Sequence, residues 1–330
     1  MDRVPDTADR ILLDRFQHDF PLVAHPFAAV GEAAGVDEAE AIARYRVMQS
    51  GGLLTRIGAV VAPNTLGAST LCAMDVPAAG LERTAELVNA EPGVNHNYER
   101  EGTPNLWFVV TAASEGDLEA TLARIAAQSG YSVRDLRLEE PFHLDLGFPV
   151  FGSNGKATRR KLPIARSDAI EPGDRDLLGA IEDGLPLCER PYEAVANEIG
   201  TGEAEVLASL QRLCEAGVIR RFGVVLRHHR LGITANAMAV WDIPDDAASQ
   251  IGNALAACDG VTLCYRRRRA HDWPFNVYCM VHARSRAAAQ DVIAKLHAIA
   301  SPHARGHAVL FSRHCFKQTG ARFSRTGRAA

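Results

Sequence analysis

The feature that most constrains this chain is that it is written twice. At an offset of 165 residues, Leu22, Pro26, Gly35, Gly52, Arg56, Gly58, Leu66 and Gly67 fall on Leu187, Pro191, Gly200, Gly217, Arg221, Gly223, Leu231 and Gly232. After a slip of two residues the register resumes at 167. There Asp75, Pro77, Gly93, Tyr98 and Arg100 meet Asp242, Pro244, Gly260, Tyr265 and Arg267. Self-similarity on this scale means a tandem duplication, two copies of about 150 residues. Residues 148–172 between them are rich in Gly, Pro and basic side chains without an apolar period, and read as a linker.

Within the second copy, DRDLLGAIEDG, PYEAVANEIG and GEAEVLASLQRLCEAG carry apolar residues at helical spacing, the last ending at Gly217. Three short helices in this order suggest a helix-turn-helix, and the alternation of VIRRFGVVLRHHRLG after them suggests a two-stranded wing. The first copy repeats the pattern from DRILLDRFQHD to LLTRIGAVVAPNTLG. Each wing is followed by a strand closed by Pro77 or Pro244 and then by the order helix, strand, strand, helix, strand. That βαββαβ order is ferredoxin-like. The expected fold is therefore α+β, with winged helix-turn-helix domains at 1–66 and 173–231 and ferredoxin-like domains at 67–147 and 232–330. This combination resembles the Lrp/AsnC regulators, and the resemblance covers nearly the whole of each copy.

Composition removes several function classes. With 330 residues and 47% apolar content the chain is long enough for several packed cores, and no stretch reaches the roughly 18 uncharged apolar residues of a membrane helix. The start, MDRVPDTADR, is polar and acidic, so neither a signal nor a transit peptide is expected. The seven Cys form no CxxC pair and read as reduced thiols, which points to the cytoplasm. No Walker loop, GxGxxG after a strand, HExxH or GxSxG is present, and His143, His282, His297, His303, His307 and His314 show no metal-ligand spacing.

The net charge of −4 conceals a split. Residues 1–50 hold nine acidic and five basic side chains and residues 174–216 hold ten and three, so the remainder of the chain is positive. The acidic segments are the helix-turn-helix regions. A recognition helix must approach phosphates, yet residues 202–216 offer Glu203, Glu205 and Glu215 against Arg212 alone. Arg44 and Arg46 in the first copy face Asp37, Glu38 and Glu40. Specific DNA binding is therefore not expected.

The positive charge gathers on the wings, at Arg56 and at Arg220, Arg221, Arg227, His228, His229 and Arg230, and on the second strand of each ferredoxin-like domain. Alternate residues of a strand share a face, which groups His96, Tyr98 and Arg100 in one copy and Tyr265, Arg267 and Arg269 in the other. Arg266 and Arg268 complete the basic run. A Tyr-x-Arg pair repeated in both copies is not something a ferredoxin-like sheet requires.

The segments GVIRRFGVVLRHHRLGITANAMAVW, GVTLCYRRRRAHDWPFNVYCMVHA and GVNHNYEREGTPNLWFVV resemble signatures of the siroheme decarboxylases, whose two Lrp-like subunits are here similar to one fused chain. The resemblance implies removal of CO₂ from the C12 and C18 acetates of siroheme, giving 12,18-didecarboxysiroheme for heme d1 or alternative heme synthesis, with siroheme as substrate and no added cofactor. It also implies a homodimer or association with related decarboxylase subunits. The residue types suit that chemistry. A macrocycle with many carboxylates needs several arginines, for which Arg56, Arg100, Arg220, Arg221, Arg227, Arg266 and Arg267 are candidates, and apolar walls, for which Trp107, Met238, Trp273 and Phe275 are candidates. Loss of CO₂ leaves a carbanion that must be protonated, a task for His96 or His228 as proton donor or iron ligand, with Tyr98 and Tyr265 as phenolic alternatives. A transcriptional regulator or a tetrapyrrole sensor is the competing reading.

Overall fold

The computed structural model describes residues 5–144, 165–227 and 232–320. Copy one runs α1 (Thr7–Asp14), α2 (Pro26–Ala34), α3 (Glu38–Ser50), β1 (Leu54–Val61), β2 (Ala68–Met74), α4 (Leu81–Ala90), β3 (Val94–Arg100), β4 (Leu106–Ala112), α5 (Glu115–Ser129) and β5 (Arg134–Leu144). Copy two repeats the order as α6 (Asp174–Ala180), α7 (Pro191–Ile199), α8 (Glu203–Glu215), β6 (Ile219–Leu226), β7 (Ala235–Asp242), α9 (Asp245–Ala256), β8 (Val261–Arg267), β9 (Val277–Ala283), α10 (Arg286–Ala300) and β10 (Gly306–Gln318). The duplication extends to helix ends. Both α2 and α7 begin on a first-turn proline and stop at a left-handed glycine, Gly35 and Gly200, each with φ 74°.

The copies do not fold side by side. The chain divides into one unit of Met1–Leu66 with Gly147–Leu231 and another of Gly67–Leu146 with Gly232–Ala330, so each unit takes matching parts from both copies.

In the helical unit the expected two-stranded wing within each copy gives way to a single two-stranded sheet shared by the copies. β1 pairs antiparallel with β6, and Gly58 lies opposite Gly223, its own equivalent in the repeat. The physical reason is the short return from β1 to β2. It carries Pro63, which has no N–H to donate, and Asn64 at φ 61°, so it turns rather than forming a second strand. The open edge of each strand is instead covered by the other copy. The N–H of Leu185 donates to Ile57 O at 2.7 Å and that of Phe20 to Phe222 O at 3.1 Å, two bonds related by the repeat.

This pairing is tight on one side only. A Cβ added at Gly223 would run into the carbonyl oxygens of Phe16 and Gln17, whereas one at Gly58 would first meet Ile181 O at 3.4 Å. Gly223→Ala is expected to destabilise the unit by about 3 kcal/mol and Gly58→Ala by under about 1 kcal/mol, read from urea midpoints. Equal losses would mean that backbone freedom, not space, sets the glycine requirement.

The second unit joins the ferredoxin-like halves of the two copies. Its eight strands form one closed barrel in the order β10-β3-β4-β2-β5-β8-β9-β7, with β7 returning to β10. Each copy keeps the ferredoxin-like neighbours, but its last strand also pairs with the other copy, β5 with β8 and β10 with β3. A lone βαββαβ sheet would leave these edges exposed, and closure removes them. Alternation then sorts the side chains. Cys72, Met74, Leu106, Phe108 and Val110 pack outward with the helical residues Leu81, Val88, Leu118 and Ile125, and Trp241, Cys264, Val277 and Cys279 do the same with Ile251, Leu255, Ile293 and Leu296. Ala73, Trp107, Leu136, Met238, Val240, Tyr278 and Leu310 point inward with the loop residue Trp273, and both copies contribute to that interior core.

Candidate active site

The two Tyr-x-Arg pairs lie on β3 and β8, four strands apart in the order of this barrel. On β3 the rings of His96 and Tyr98 are near-parallel, 6.4 Å apart at 22°, and the Arg100 guanidinium lies 5.6 Å from the Tyr98 ring centre. On β8 the Arg267 guanidinium lies 5.1 Å from the Tyr265 ring. Asn97, between them in sequence, points the other way and donates to Ala85 O in α4 at 3.1 Å. The face predicted for His96, Tyr98 and Arg100 is thus the one observed.

Each arginine reaches into the opposite copy. Arg100 donates to Leu310 O at 3.2 Å and to Asn236 Oδ1 at 3.3 Å, and Arg267 donates to Leu136 O at 2.9 Å. Among the described residues neither meets a carboxylate. Burial depresses both guanidinium pKa values, and that of Arg100, only 6% exposed, falls to about 10. That shift corresponds to a cost on the order of 3 kcal/mol against the charged form. A cation held at such cost without a counter-ion is a ready receptor for a carboxylate. Burial also raises the pKa of Tyr98, reinforced by Cys315, so its phenol keeps its proton at neutral pH.

The His96 tautomer follows from its neighbours. Asn95 Nδ2 donates to Thr111 Oγ1 at 2.8 Å, which turns Asn95 Oδ1 toward His96 Nδ1 at 2.7 Å. An acceptor at that distance requires a proton on Nδ1, which leaves the lone pair of the neutral ring on Nε2. The equivalent position in copy two is Leu263, not a second histidine. Cys264, adjacent to Tyr265, faces outward, fully buried in the helix-covered core.

The aromatic candidates form the filling of the interior. Trp273 meets Trp107 edge-on at 5.4 Å and Phe275 at 4.7 Å, and its Nε1–H donates to Tyr278 Oη at 2.9 Å. Met238 is buried in the same cluster.

Two basic residues of the run 266–269 fall elsewhere. Arg266 points outward and pairs with Glu139 at 3.1 Å and Asp245 at 3.2 Å, because it is one residue out of phase with Arg267. Arg269 lies beyond the end of β8, so alternation no longer applies, and it is clamped by Asp242 and Asp245. Neither joins the interior group.

Arg56, Arg220, Arg221 and Arg227 belong to the helical unit. Arg56 packs against Gly184, where burial lowers its pKa against the pull of Asp183 and Glu182, and it donates to Ala59 O at 3.2 Å. Its equivalent Arg221 is buried, Arg220 half-buried and Arg227 exposed. Arg56 is thus half-buried and Arg221 as deeply buried as Arg100 in the barrel. His228, with His229 and Arg230, lies outside the described residues.

Arg44 and Arg212 are engaged by the unit's own carboxylates, and Arg46 donates to Leu187 O at 2.6 Å. Arg44 bonds Asp6, Asp9 and Glu40, and Arg212 pairs with Asp174 at 2.8 Å and Glu171 at 3.3 Å. Neither α3 nor α8 therefore presents these cations to a phosphate backbone.

Sequence reasoning passed over His282. It lies on β9, two steps of alternation beyond Tyr278, and sits between Thr262 Oγ1 at 2.8 Å and Asn236 Nδ2 at 3.1 Å. Counting by twos from Tyr278 would have placed it inward. Among the described residues no helix is long and apolar enough to cross a membrane, and no group of three or more His, Cys, Asp or Glu is arranged to hold a metal.

Comparison with known proteins agrees with this architecture. The AsnC-like ligand binding domain matches residues 65–143 and 230–317, and the siroheme decarboxylase NirDL-like HTH domain matches residues 9–54 and 174–220. The chain is 45% identical to the siroheme decarboxylase NirDL subunit of Paracoccus denitrificans over 322 residues, covering 96% of this chain and 97% of that protein. A separate siroheme decarboxylase NirL subunit of Stutzerimonas stutzeri is 47% identical over 145 residues, 44% of this chain and 85% of that protein. Among solved structures, the siroheme decarboxylase NirDL in co-complex with an iron-uroporphyrin III analogue is similar with a TM-score of 0.70 at 28% identity, covering 97% of this chain and 95% of that one.

Proposed function

The chain belongs to the NirDL-type siroheme decarboxylases, and from that premise we propose that the barrel interior is where the acetate side chains of siroheme react. The reaction is that of a carboxy-lyase, removing CO₂ from the C12 and C18 acetates to give 12,18-didecarboxysiroheme. One observation carries the assignment to the barrel: two interior arginines, Arg100 buried and Arg267 half-buried, each over its own tyrosine and neither matched to a carboxylate among the described residues.

A guanidinium that binds an acetate bidentately fixes it while the surroundings strip its water, which raises the energy of the anion relative to neutral CO₂. The bond from the methylene carbon to the carboxylate then breaks. Its electron pair stays on that carbon and spreads into the conjugated ring, so the substrate itself is the electron sink. A proton delivered to the carbon completes a methyl group. His96 is the favoured donor, or the ligand of the substrate iron, with Tyr98 and Tyr265 as phenolic alternatives. Association of the fused chain with itself or with related decarboxylase subunits belongs to the same reading.

Anaerobic incubation of the full chain with siroheme is expected to release two CO₂ per macrocycle, with the matching loss of mass in the product. Tight binding with unchanged mass would overturn the reading in favour of a tetrapyrrole sensor.

A further inference from the structure

The interior holds a hydrogen-bonded chain that ends on Arg100; at the equivalent positions of the other half the bond from Asn95 to Thr111 repeats one of its links, between different side chains. Arg100 Nη1 donates to Asn236 Oδ1 at 3.3 Å, Asn236 Nδ2 meets His282 Nε2 at 3.1 Å, and His282 Nδ1 meets Thr262 Oγ1 at 2.8 Å. Thr262 Oγ1 in turn donates to Met280 O at 3.1 Å. An arginine can only donate, and this fixes every link. Asn236 must turn its oxygen to Arg100 and its amide protons to His282. His282 Nε2 must therefore accept, its proton sits on Nδ1, and Thr262 receives it while passing its own proton to the Met280 carbonyl. The donors all run in one direction, away from the guanidinium.

Asn236 and His282 are direct cross-strand partners on β7 and β9, and the fold places them together without help from any loop. The repeat shows that the fold does not demand them. The residues that stand in for Asn236, His282 and Thr262 in copy one are Ser69, Thr111 and Asn95, on the paired strands β2, β4 and β3. Ser69 and Thr111 each offer a single hydroxyl where copy two has an amide and an imidazole.

We propose that His282 is a positioning residue for Arg100: through Asn236 it holds the guanidinium in the one orientation that faces a substrate carboxylate, and it does so for only one of the two interior arginines. This rests on the reading of Arg100 as a carboxylate ligand. The role requires an acceptor toward Asn236 and a donor toward Thr262, and glutamine supplies both on a side chain of similar length.

The test is a double-mutant cycle in the full chain with siroheme under anaerobic conditions. His282→Ala is expected to lower kcat by about ten- to a hundredfold, with siroheme binding, followed by absorbance, changed less than about threefold. His282→Gln should recover most of the loss. In an Arg100→Met background, His282→Ala should cost less than about twofold more, because its only route to the substrate has gone. Asn236→Ala breaks the same chain at its middle and should reproduce the result, which covers the case in which His282→Ala fails to fold. Independent, multiplicative losses in the double variant would overturn the proposal, as would a His282→Gln as damaged as His282→Ala, or an unaffected His282→Ala beside an inactive Arg100→Met. An active Arg100→Met would overturn the reading of Arg100 itself and the proposal with it.

Discussion

Arg100→Met and Arg267→Met should each lower siroheme decarboxylation by at least about a hundredfold, while Arg266→Ala stays within about threefold of the parent. The size follows from where the charges sit. A charge-assisted pair inside a dry site contributes about 3–4 kcal/mol to a transition state, which corresponds to a factor of a hundred or more. Arg266 is already matched by Glu139 and Asp245 on the outer face and has nothing to give the interior. Methionine keeps most of the arginine's volume while removing the charge, so stability gives a second readout. Burial lowers the Arg100 pKa from its ordinary value to about 10 in the folded chain. For a base lowered in this way the cost to folding is fully present below about pH 10, and it fades as the pH rises from there toward the ordinary guanidinium value. At neutral pH the charge therefore weakens the fold, and removing it should leave the melting temperature unchanged or higher. Activity lost together with a drop in melting temperature would mean that Arg100 serves packing rather than substrate.

The repeat made the element order legible, because Pro26, Gly35, Pro191 and Gly200 mark the same helix ends in both copies. It did not show which edges pair. The pairing of β1 with β6 and of β5 with β8 joins segments far apart in the chain, and a strand's alternation names its faces but not the partner on its edge. The same limit shaped the site. Alternation put Tyr98 with Arg100 and Tyr265 with Arg267 correctly, since each pair spans two residues of one strand. It failed for Arg269 because β8 stops at Arg267, and Arg266 was retained as a candidate because four arginines in a row mask the alternation. His282 escaped because a single histidine in an apolar strand has no spacing to flag it. Its meaning lies in Asn236, on the neighbouring strand.

The charge split in the sequence has a structural counterpart. In the helical unit carboxylates surround Arg44 and Arg212, as Asp6, Asp9 and Glu40 do for the first and Asp174 and Glu171 for the second. In the barrel the two interior arginines are given only carbonyl and amide oxygens. Neutral acceptors orient a guanidinium without discharging it, so the barrel keeps its positive potential for an incoming anion. One fold thus carries two opposite electrostatic solutions, and only the second suits a polycarboxylate.

His96→Leu is the second change expected to remove most activity, by about a hundredfold or more if His96 delivers the proton. Leucine is a fair substitute sterically, because Leu263 occupies the equivalent place in copy two of the same barrel. The variant should therefore fold and bind siroheme. Its absorbance spectrum when bound separates the two roles of the imidazole: an unchanged spectrum with lost turnover identifies a proton donor, and an altered one identifies an iron ligand through Nε2. Product mass adds a further distinction. Because the second half offers leucine where the first offers histidine, both decarboxylations should slow together in His96→Leu, with no build-up of a product that has lost one CO₂. A clean single decarboxylation would instead show that the half built on Tyr265 and Arg267 supplies its own proton. Full activity would remove His96 from the reaction.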